Sequence, residues 1–545
     1  MGGELLDGAV GRPDRPAAEY RAAGYWRGVT LGELLRGWAR RYGETTALVS
    51  GGERMSYREL DRRADVLAAG LLARGVVPGD RLVVQLPNTA AFLTVLFASA
   101  RIGVVPVLAL PAHRRTEIAH LAALSEAVGC VVADTHEGFD HRDLAAEVGA
   151  LVPGVRHVLV DGDPGQYAGR PGWTALSDVR GDPAVLAGTA SVDASALAVL
   201  LISGGTTGRP KLIPRTHDDY AYNARASAEL CGVTATDRYL VCLPAAHNFP
   251  LACPGALGTL GAGGTVVMCP APHPAVAFGL IAREQITVTA LVPPLAHLWT
   301  EAASWAPEDL SSLRLLQVGG AKLDAGLARR IPDRLGCRVQ QVFGMAEGLL
   351  NFTRLDDPAE LVETTQGRPL SPADEIRVVD RRGRPVPPGE VGELLTRGPY
   401  TLRGYYRAPE YNRTTFTEDG FLRTGDLVRV LPSGHLVVEG RVKDVINRGG
   451  ENVSAAELEE HLLSHPGIAQ AAVVGLPHAT LGEMVCAVVV PAGAGAPTLG
   501  VVKAHLGECG LARFKHPDRL VVMDDLPVTA VGKISKQDIV RRLCG

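Results

Sequence analysis

The stretch that decides the fold is LLISGGTTGRPKLIPRTHDD, Leu200–Asp219. An apolar run typical of a buried strand leads into glycines, hydroxyl side chains and a lysine. Glycines let the backbone approach an anion and point N–H groups at it, while hydroxyls and a lysine add donors and charge. The stretch therefore predicts a phosphate-binding loop after a strand, with a polar surface turn as the alternative. The expected phosphate ligands are Ser203, Gly204, Gly205, Thr206, Thr207, Gly208 and Lys211.

This loop does not fit the common P-loop of nucleoside triphosphatases. That motif, G-x-x-x-x-G-K-[ST], places the lysine directly after a glycine and opens a helix. Here Lys211 lies three residues past Gly208, with Pro210 between them. Pro214 follows closely and would disrupt the first turn of a helix. The sequence excludes the standard P-loop but keeps the phosphate-binding chemistry.

Length and composition limit the classes of protein to consider. A chain of 545 residues exceeds the roughly 250–300 that one hydrophobic core supports, so several subdomains are expected. The net charge of 55 − 59 = −4 gives no indication of nucleic-acid binding. Nine cysteines without a C-x-x-C pair argue against disulfides and zinc and for a reducing compartment. With no signal-peptide pattern and no apolar run of about 18 residues, we expect a cytoplasmic protein without membrane contact.

The pattern along the chain indicates an α/β fold. Strand-like and helical segments alternate through residues 55–150 and again from 197, which predicts βαβ units and parallel sheets. Residues 152–195, rich in glycine, proline and aspartate, are expected to connect two subdomains. Residues 375–440 contain short strand-like runs separated by turn signals and predict a small β-rich subdomain.

A domain boundary is expected within residues 440–454, GRVKDVINRGGENVS. The next segment has the pattern of a helix, with Ser454 and Glu457 as a capping box and His465-Pro466-Gly467 as its stop. The last hundred residues therefore predict a compact α+β unit.

Six motifs in order resemble the adenylate-forming superfamily of acyl-CoA synthetases, luciferases and peptide-synthetase adenylation domains. The resemblance covers nearly the whole chain. It implies a large N-terminal domain, residues 1–441, with two α/β sheet layers and a small β-barrel-like subdomain. It also implies a small mobile α+β C-terminal domain, residues 442–545. The motifs are SGGTTGRPK (203–211), QQVFGMAEG (340–348), GELLTRGP (392–399), FLRTGDLV (421–428), GRVKDVINRGGENVSAAELE (440–459) and PVTAVGKISK (527–536).

Four longer stretches narrow the resemblance to stand-alone aryl-acid adenylating enzymes of siderophore and related pathways. Such enzymes form an aryl-adenylate from salicylate or 2,3-dihydroxybenzoate and ATP, release pyrophosphate, and load the phosphopantetheine thiol of an aryl carrier protein supplied in trans. The resemblance implies ATP and Mg²⁺ as cofactors and leaves a monomer or a homodimer open. The stretches are KLIPRTHDDY (211–220), AAHNFPLACPG (245–255), LQVGGAKL (316–323) and QQVFGMAEGLLNFTR (340–354).

The resemblance assigns roles to individual residues. Lys533 would bridge the substrate carboxylate and the α-phosphate, and Glu347 would organise the metal. Asp426 would accept hydrogen bonds from the ribose hydroxyls with Arg441 nearby, and Lys443 would be the hinge between half-reactions. Phe343 would stack on adenine, and the other expected ATP contacts are Gly319, Gly320, Ala321, Val342, Gly344 and Met345.

The acid pocket is expected around AAHNFPLACPG. His247 would flank the carboxylate and act in catalysis, and Asn248 replaces the aspartate with which amino-acid-activating relatives pair an ammonium group. Cys253, a weak hydrogen-bond donor, and the bulky Leu350 favour salicylate over the 3-hydroxylated acid. Because Asn248 can donate and accept, anthranilate and 3-hydroxyanthranilate stay open as substrates. The remaining expected pocket residues are Phe249, Gly320 and Val342.

Two other functions remain as alternatives. An aryl-CoA ligase of the same superfamily would use coenzyme A as the thiol acceptor. A catalytically silent scaffold would have no need for Glu347, Asp426, Arg441 and Lys533 together, so their presence argues against it.

Overall fold

The computed structural model describes residues 6–11, 14–203, 210–448, 451–478, 481–493, 495–509, 511, 513–529 and 532–544. Helices and strands alternate along most of this length, as the apolar pattern predicts. The helices are α1 (Asp14–Ala22), α2 (Leu31–Tyr42), α3 (Tyr57–Ala73), α4 (Ala90–Arg101), α5 (Arg115–Ser125), α6 (His141–Leu151), α7 (His217–Leu230), α8 (Asn248–Ala252), α9 (Gly255–Ala262), α10 (Pro274–Glu284), α11 (Pro293–Ala302), α12 (Ala325–Leu335), α13 (Ala359–Thr364), α14 (Pro409–Thr415), α15 (Ala455–Leu463), α16 (Leu499–Glu508) and α17 (Lys536–Cys544).

The strands β1 to β17 fall in the first two thirds of the chain and β18 to β27 in the last third. They are β1 (Thr46–Ser50), β2 (Glu53–Ser56), β3 (Arg81–Gln85), β4 (Val105–Leu108), β5 (Gly129–Ala133), β6 (Thr135–His136), β7 (Phe139–Asp140), β8 (His157–Asp161), β9 (Trp173–Ala175), β10 (Leu197–Ile202), β11 (Leu212–Thr216), β12 (Arg238–Val241), β13 (Thr265–Met268), β14 (Val288–Leu291), β15 (Leu315–Gly319), β16 (Arg338–Gly344), β17 (Leu350–Phe352), β18 (Arg368–Pro369), β19 (Glu375–Val379), β20 (Gly392–Arg397), β21 (Leu422–Val430), β22 (Leu436–Arg441), β23 (Val445–Arg448), β24 (Glu451–Ser454), β25 (Ile468–His478), β26 (Gly482–Pro491) and β27 (Arg519–Val522).

The described residues divide into two compact units, which are considered separately. The first lies within Met1–Val362, Pro369–Glu375 and Arg397–Leu422. The second lies within Glu363–Arg368, Ile376–Thr396 and Arg423–Gly545. These limits leave the expected boundary between residues 441 and 442 as a prediction.

The first unit holds most of the first sheet, which has the order β18-β17-β16-β15-β14-β12-β13-β1-β2 within the described part of the chain. Its central strands run parallel, and β2 and β17 are antiparallel additions. Strands β14 and β15 are buried throughout, as expected for parallel strands covered by helices on both faces. On one face, Phe278 of α10 and Trp299 of α11 pack edge to face with ring centroids 5.2 Å apart.

The second sheet, also in the first unit, has the order β11-β10-β4-β3-β5-β8-β9. All the described pairings are parallel except that of β10 with β11, which forms an antiparallel hairpin around the glycine-rich loop. Because residues 212–216 form a strand, the chain after the loop does not enter a helix directly, which agrees with the exclusion of the standard P-loop.

The expectation that residues 152–195 only connect subdomains was wrong in part. This segment contains β8 and β9, which extend the second sheet beyond β5. Val158, Leu159 and Val160 of β8 are buried, so a short apolar run within a polar segment was sufficient to form a core strand.

The second unit holds most of the third sheet, ordered β19-β20-β21-β22, which corresponds to the predicted β-rich subdomain. It also holds a fourth sheet, ordered β24-β23-β26-β25 with β27 beside β26. In the fourth sheet alternate residues face opposite sides, so Val473 packs with α15 and α16 while Val474 packs with Ile539 of α17. This arrangement is the predicted C-terminal α+β unit.

Ser454 caps α15 as predicted, but the described contacts show only half of the capping box. The Ser454 hydroxyl accepts a hydrogen bond from the Glu457 N–H at 3.3 Å. The Glu457 carboxylate instead pairs with Lys515, 2.6 Å and 2.8 Å from its ammonium nitrogen. A long-range ion pair has displaced the local contact that the sequence indicates.

None of the described helices is long and apolar enough to cross a membrane. All nine cysteines are described and are free thiols, of which Cys509 and Cys544 are exposed and the others are buried.

Candidate active site

Several predicted site residues of the first unit lie at or just after the carboxyl ends of parallel strands in the first sheet. His247 and Asn248 come after β12, Gly319 ends β15 and leads to Gly320, and Gly344 ends β16. In open α/β sheets this edge is where ligands bind. The topology therefore brings together segments that lie about a hundred residues apart in sequence.

The loop that carries His247 is held by a residue that the sequence analysis missed. The Asn88 carboxamide oxygen accepts from the Ala245 N–H at 2.8 Å. Its nitrogen donates to the carbonyls of Val241, Leu243 and Cys269, at 3.0, 3.1 and 3.1 Å. Asn88 thus ties the ends of β12 and β13 to the loop. In the sequence, the one sign of this role is that Asn88 closely follows a buried strand, in the segment QLPN.

His247 is the N-cap of the short helix α8. It is half-buried, and its Nδ1 accepts a hydrogen bond from the Phe249 N–H at 3.3 Å. This bond fixes the imidazole ring at the start of the helix. The placement is compatible with a ring that faces a substrate carboxylate, which stays a prediction.

Asn248 and Cys253 form a buried pair across α8. The Asn248 amide donates to the Cys253 sulfur at 3.4 Å, and the thiol lies 3.5 Å from the Asn248 carbonyl oxygen. Within the described residues, the Asn248 side-chain oxygen is buried without a hydrogen-bond partner. Burial raises the pKa of the Cys253 thiol to about 12, so it stays neutral at physiological pH. The pair therefore contains one unpaired acceptor, the Asn248 side-chain oxygen, and one weak donor, the Cys253 thiol.

Phe249 lies against the glycine that ends β15. A Cβ at Gly319 would stand 2.6 Å from the Val342 carbonyl oxygen and 3.1 Å from the Phe249 ring, so this close approach requires glycine. The next residue, Gly320, has φ +87°, a conformation that favours glycine. The structure therefore brings four predicted pocket residues together. Ala321 follows and is exposed.

The turn after β16 carries Glu347. Val342 and Leu350 are buried on the flanking strands, while Phe343, Met345 and Glu347 are half-buried and Gly344 is exposed. The Glu347 Oε1 accepts a hydrogen bond of 2.8 Å from the Tyr405 hydroxyl, and its backbone carbonyl accepts from the Leu402 N–H at 2.8 Å. Tyr405 was not expected from the sequence, because this contact joins residues 58 positions apart.

The two residues that flank the glycine-rich loop, Ser203 and Lys211, are hydrogen-bonded to each other. The Ser203 N–H donates to the Lys211 carbonyl at 2.9 Å, and the Ser203 hydroxyl accepts from the Lys211 N–H at 3.0 Å. The Lys211 ammonium lies 3.9 Å from the centroid of the Tyr411 ring. The other predicted phosphate ligands, Gly204, Gly205, Thr206, Thr207 and Gly208, lie outside the described residues.

In the second unit, Asp426 and Arg441 face each other on paired strands. The Arg441 Nε donates to the Asp426 Oδ1 at 2.7 Å. Asp426 is almost buried, whereas Arg441 is exposed. The Asp426 N–H also donates to the Thr424 hydroxyl at 3.0 Å, which in turn donates to the Leu394 carbonyl at 2.9 Å. The carboxylate is therefore held in one orientation.

Lys533 is hydrogen-bonded to Thr529 in the second unit. The Thr529 N–H donates to the Lys533 carbonyl at 2.6 Å, and the Thr529 hydroxyl accepts from the Lys533 N–H at 3.2 Å. The Lys533 side chain is exposed. The backbone of Lys443 lies in the 3₁₀ turn Val442–Asp444, which directly follows β22.

The residues around Glu347 fit a magnesium ion bound with its nucleotide. Among the described residues, no three His, Cys, Asp or Glu side chains cluster as a metal site. Mg²⁺ commonly takes only one or two carboxylates and completes its shell with phosphate oxygens and water. A single half-buried carboxylate, fixed by a hydroxyl donor, satisfies that requirement.

Known families, sequences and solved structures match nearly the whole length of this chain. The family model described as AMP-binding enzyme matches residues 35–406, and that described as AMP-binding enzyme C-terminal domain matches residues 457–533. A salicyl-AMP ligase / salicyl-S-ArCP synthetase of Mycobacterium tuberculosis is 54% identical over 99% of this chain and 95% of its own length. A 2,3-dihydroxybenzoate-AMP ligase of Bacillus subtilis is 51% identical, covering 98% of this chain and 97% of its own. The apo structure of Mycobacterium smegmatis MbtA aligns with a TM-score of 0.76 at 53% identity, covering 98% and 99% of the two chains.

Proposed function

The chain belongs to the AMP-binding enzyme family, and from this premise we propose that it activates an ortho-substituted aromatic acid, with salicylate favoured. It is an adenylate-forming ligase that uses ATP and releases pyrophosphate, and we propose that it passes the aryl group to the phosphopantetheine thiol of a carrier protein in siderophore or related biosynthesis. The observation that carries the choice of acid is the buried Asn248, whose side-chain oxygen has no hydrogen-bond partner among the described residues.

A neutral carboxamide fits an aromatic acid better than an amino acid. An α-ammonium group would lose the charge-assisted hydrogen bond that a carboxylate provides. The Asn248 oxygen can instead accept a hydrogen bond from the ortho hydroxyl of salicylate or the ortho amino group of anthranilate. Phe249, whose ring lies against Gly319, would supply apolar surface for the substrate ring. The relatives named above act on ortho-hydroxylated benzoates, which supports the same class.

In the proposed first half-reaction, a carboxylate oxygen of the acid attacks the α-phosphorus of ATP. The bond from this phosphorus to the bridging oxygen breaks, and pyrophosphate leaves. Lys533 would hold the attacking carboxylate against the α-phosphate and stabilise the developing charge, while His247 would orient the carboxylate. Asp426 would bind the ribose hydroxyls with Arg441 beside it, and Phe343 would stack on adenine. Glu347 would hold Mg²⁺, which when bound supplies charge neutralisation at the phosphates.

In the second half-reaction, the pantetheine sulfur attacks the acyl carbon of the aryl-adenylate and AMP leaves. We propose Lys443 as the hinge that separates the two steps, with residues 442–545 as the mobile domain. Coenzyme A remains the alternative thiol acceptor. The monomeric or dimeric state stays a prediction, as does the cytoplasmic location, which the unpaired cysteines support.

ATP–pyrophosphate exchange across a panel of acids tests the proposal. The panel is salicylate, 2,3-dihydroxybenzoate, anthranilate, 3-hydroxyanthranilate, benzoate, a medium-chain fatty acid and mixed amino acids. We expect exchange only with the ortho-substituted benzoates and most with salicylate. Exchange with fatty or amino acids but not with benzoates would overturn the acid class.

A substitution at Asn248 tests whether this residue determines the preference among the acids. Asn248→Leu keeps the branched shape of the side chain but removes the proposed hydrogen bond to the ortho group, so the ratio of kcat/KM for salicylate to that for benzoate should fall about tenfold. Thioester formation with carrier protein and coenzyme A in competition then identifies the acceptor.

A further inference from the structure

One arginine of the first unit is fully buried between the acid pocket and the turn that carries Glu347. Arg215 lies on β11, has a relative exposure of 0%, and is among the largest buried side chains of the protein. Its Nε donates to Asp219 Oδ1 at 2.7 Å. The other oxygen of Asp219 accepts from the Thr216 N–H at 2.9 Å and the Thr216 hydroxyl at 2.7 Å, closing the capping box of α7. The guanidinium is therefore anchored on a rigid helix start.

The two terminal nitrogens of Arg215 point to two different parts of the site. Nη1 donates to the carbonyl of Ala346 at 3.1 Å, and Ala346 directly precedes Glu347. Nη2 makes a longer contact of 3.5 Å with the side-chain oxygen of Asn223, which is also fully buried. A guanidinium is planar and holds its N–H groups in fixed directions, so these contacts fix the relative positions of their acceptors.

Asn223 extends this connection to the acid pocket. Its side-chain nitrogen donates to the Ala252 carbonyl at 2.6 Å and lies 3.9 Å from the Cys253 sulfur. Ala252 ends α8, the helix that begins with Asn248. A continuous chain of buried polar contacts thus runs from the acid pocket through Asn223 and Arg215 to the backbone beside Glu347.

We propose that Arg215 is a positioning residue that couples occupancy of the acid pocket to the alignment of the Glu347 turn. The inference rests on the proposed function, because it assigns Glu347 to the metal–nucleotide complex and Asn248 and Cys253 to the acid. A buried ion pair is weak evidence for a stability role, since apolar residues of similar size often replace such pairs without loss. The distribution of the Arg215 donors over two parts of one site supports a role in coupling them.

The coupling is measurable as a ratio of dissociation constants. Calorimetry gives the Kd of Mg²⁺–α,β-methylene-ATP, a nucleotide that cannot release pyrophosphate, with and without saturating salicylate. In the native protein we expect salicylate to strengthen nucleotide binding by about five- to tenfold. Arg215→Lys keeps a charge for Asp219 but lacks the planar fork, and the ratio should fall close to one.

A second variant covers the case in which Arg215→Lys fails to fold. Asn223→Leu interrupts the connection to α8 while the pair of Arg215 and Asp219 remains. We expect it to keep the nucleotide Kd measured without acid and to lose the strengthening by salicylate. Thermal unfolding of each variant, followed by circular dichroism, separates a loss of coupling from a loss of folded protein.

Arg225→Lys is the matched control for the arginine substitution. Arg225 lies on α7, the helix that also carries Asn223, and donates to the carbonyls of Gly24 and Tyr25, at 3.1 Å and 2.9 Å, away from the site. It should keep the native ratio. A native ratio of one, or an unchanged ratio in folded Arg215→Lys or Asn223→Leu, would overturn the coupling. Failure of the proposed function is a different result, namely native protein without pyrophosphate exchange on any ortho-substituted benzoate.

Discussion

The hydroxyl of Tyr405 donates a 2.8 Å hydrogen bond to the carboxylate of Glu347. The Tyr405 ring is nearly buried and meets the Tyr411 ring edge to face, with centroids 5.2 Å apart. A packed phenol of this kind cannot turn away easily, so it holds the carboxylate in one orientation. Substituting a residue that orients a metal ligand typically costs about 10- to 100-fold in metal affinity or activity.

Tyr405→Phe is expected to weaken the response to magnesium while leaving the fold intact. The substitution removes one hydrogen bond to a charged group, worth about 1.5–3 kcal/mol, and frees the Glu347 carboxylate. The Mg²⁺ concentration that gives half-maximal pyrophosphate exchange should rise about tenfold, in line with the effect of losing a residue that orients a metal ligand. The measurement is the initial exchange rate against free Mg²⁺ at fixed ATP.

The neighbouring tyrosine provides the control for this prediction. The Tyr406 hydroxyl is buried, and within the described residues it has no hydrogen-bond partner. Tyr406→Phe should therefore leave the magnesium dependence unchanged. Equal responses in the two variants would mean that the contact between Tyr405 and Glu347 does not orient the proposed metal ligand.

Cys253→Ser should shift the preference between acids toward 2,3-dihydroxybenzoate. Serine offers a stronger donor than the neutral thiol at a position beside Asn248, where a 3-hydroxyl group could meet it. One neutral hydrogen bond is worth about 0.5–1.5 kcal/mol, so the ratio of the two kcat/KM values should change by a few- to roughly tenfold. The ratio is obtained from exchange kinetics with each acid under the same conditions.

Cys130→Ser is the control that shows whether replacing any buried thiol with a hydroxyl changes the preference between the acids. Cys130 is fully buried in the second sheet and packs among apolar residues such as Val83 and Val158. The substitution should lower stability without changing the ratio of the two acids. An unchanged ratio in Cys253→Ser would remove the thiol from the determinants of specificity.

Much of the fold could be predicted because its strands are short apolar runs between turn signals. ALAVLLIS, ITVTALVP and RLLQVGG become β10, β14 and β15, each buried along most of its length. The site residues assigned by resemblance stay predictions, and the topology gives several of them a common place, since His247, Gly319 and Gly344 lie at or after the carboxyl ends of parallel strands.

The residues that were missed act over long sequence separations. Arg215 contacts Ala346 across 131 positions and Asn88 contacts Ala245 across 157, and no local pattern encodes such pairs. The same reason explains Glu457, which stands at the capping-box position in the sequence but whose carboxylate pairs with Lys515, 58 positions away. Strand β8 was missed because its pairing with β5 outweighs the turn-forming composition around it.

Asp374 should make stability depend on pH in a defined window. Burial raises the pKa of its carboxyl to about 7. This effect outweighs two hydrogen bonds that lower the pKa, which the carboxyl accepts from the Tyr400 hydroxyl at 2.5 Å and the Ser371 N–H at 3.0 Å. Between pH 3.8 and about 7 the folded protein holds a proton that the unfolded chain has lost. The contribution of Asp374 to stability is therefore full below this window and is lost as the pH rises through it.

Asp374→Asn removes this titration and keeps the size of the side chain. The free energy of unfolding of the variant relative to the native protein should rise with pH by up to about 1.4 kcal/mol per unit, and level off above pH 7. Thermal unfolding at pH 5, 6, 7 and 8 measures the trend. Asp309→Asn, an exposed carboxylate whose pKa is lowered by hydrogen bonds from Ser311, should show no trend in this range. Parallel curves for the native protein and Asp374→Asn would contradict the prediction.

Lys443→Pro should separate the two half-reactions. The backbone of Lys443 lies in the 3₁₀ turn Val442–Asp444, between the end of β22 and the start of β23. Proline fixes φ near −65°, so a rotation of the chain at this residue becomes restricted. If Lys443 is the hinge, thioester formation should fall at least about tenfold more than pyrophosphate exchange, as expected when restricting a hinge slows a conformational step rather than adenylation. Lys443→Ala, which removes the side chain but leaves φ free, should keep both rates near native. Equal loss of the two rates in Lys443→Pro would show that the residue serves both steps alike and is not the hinge.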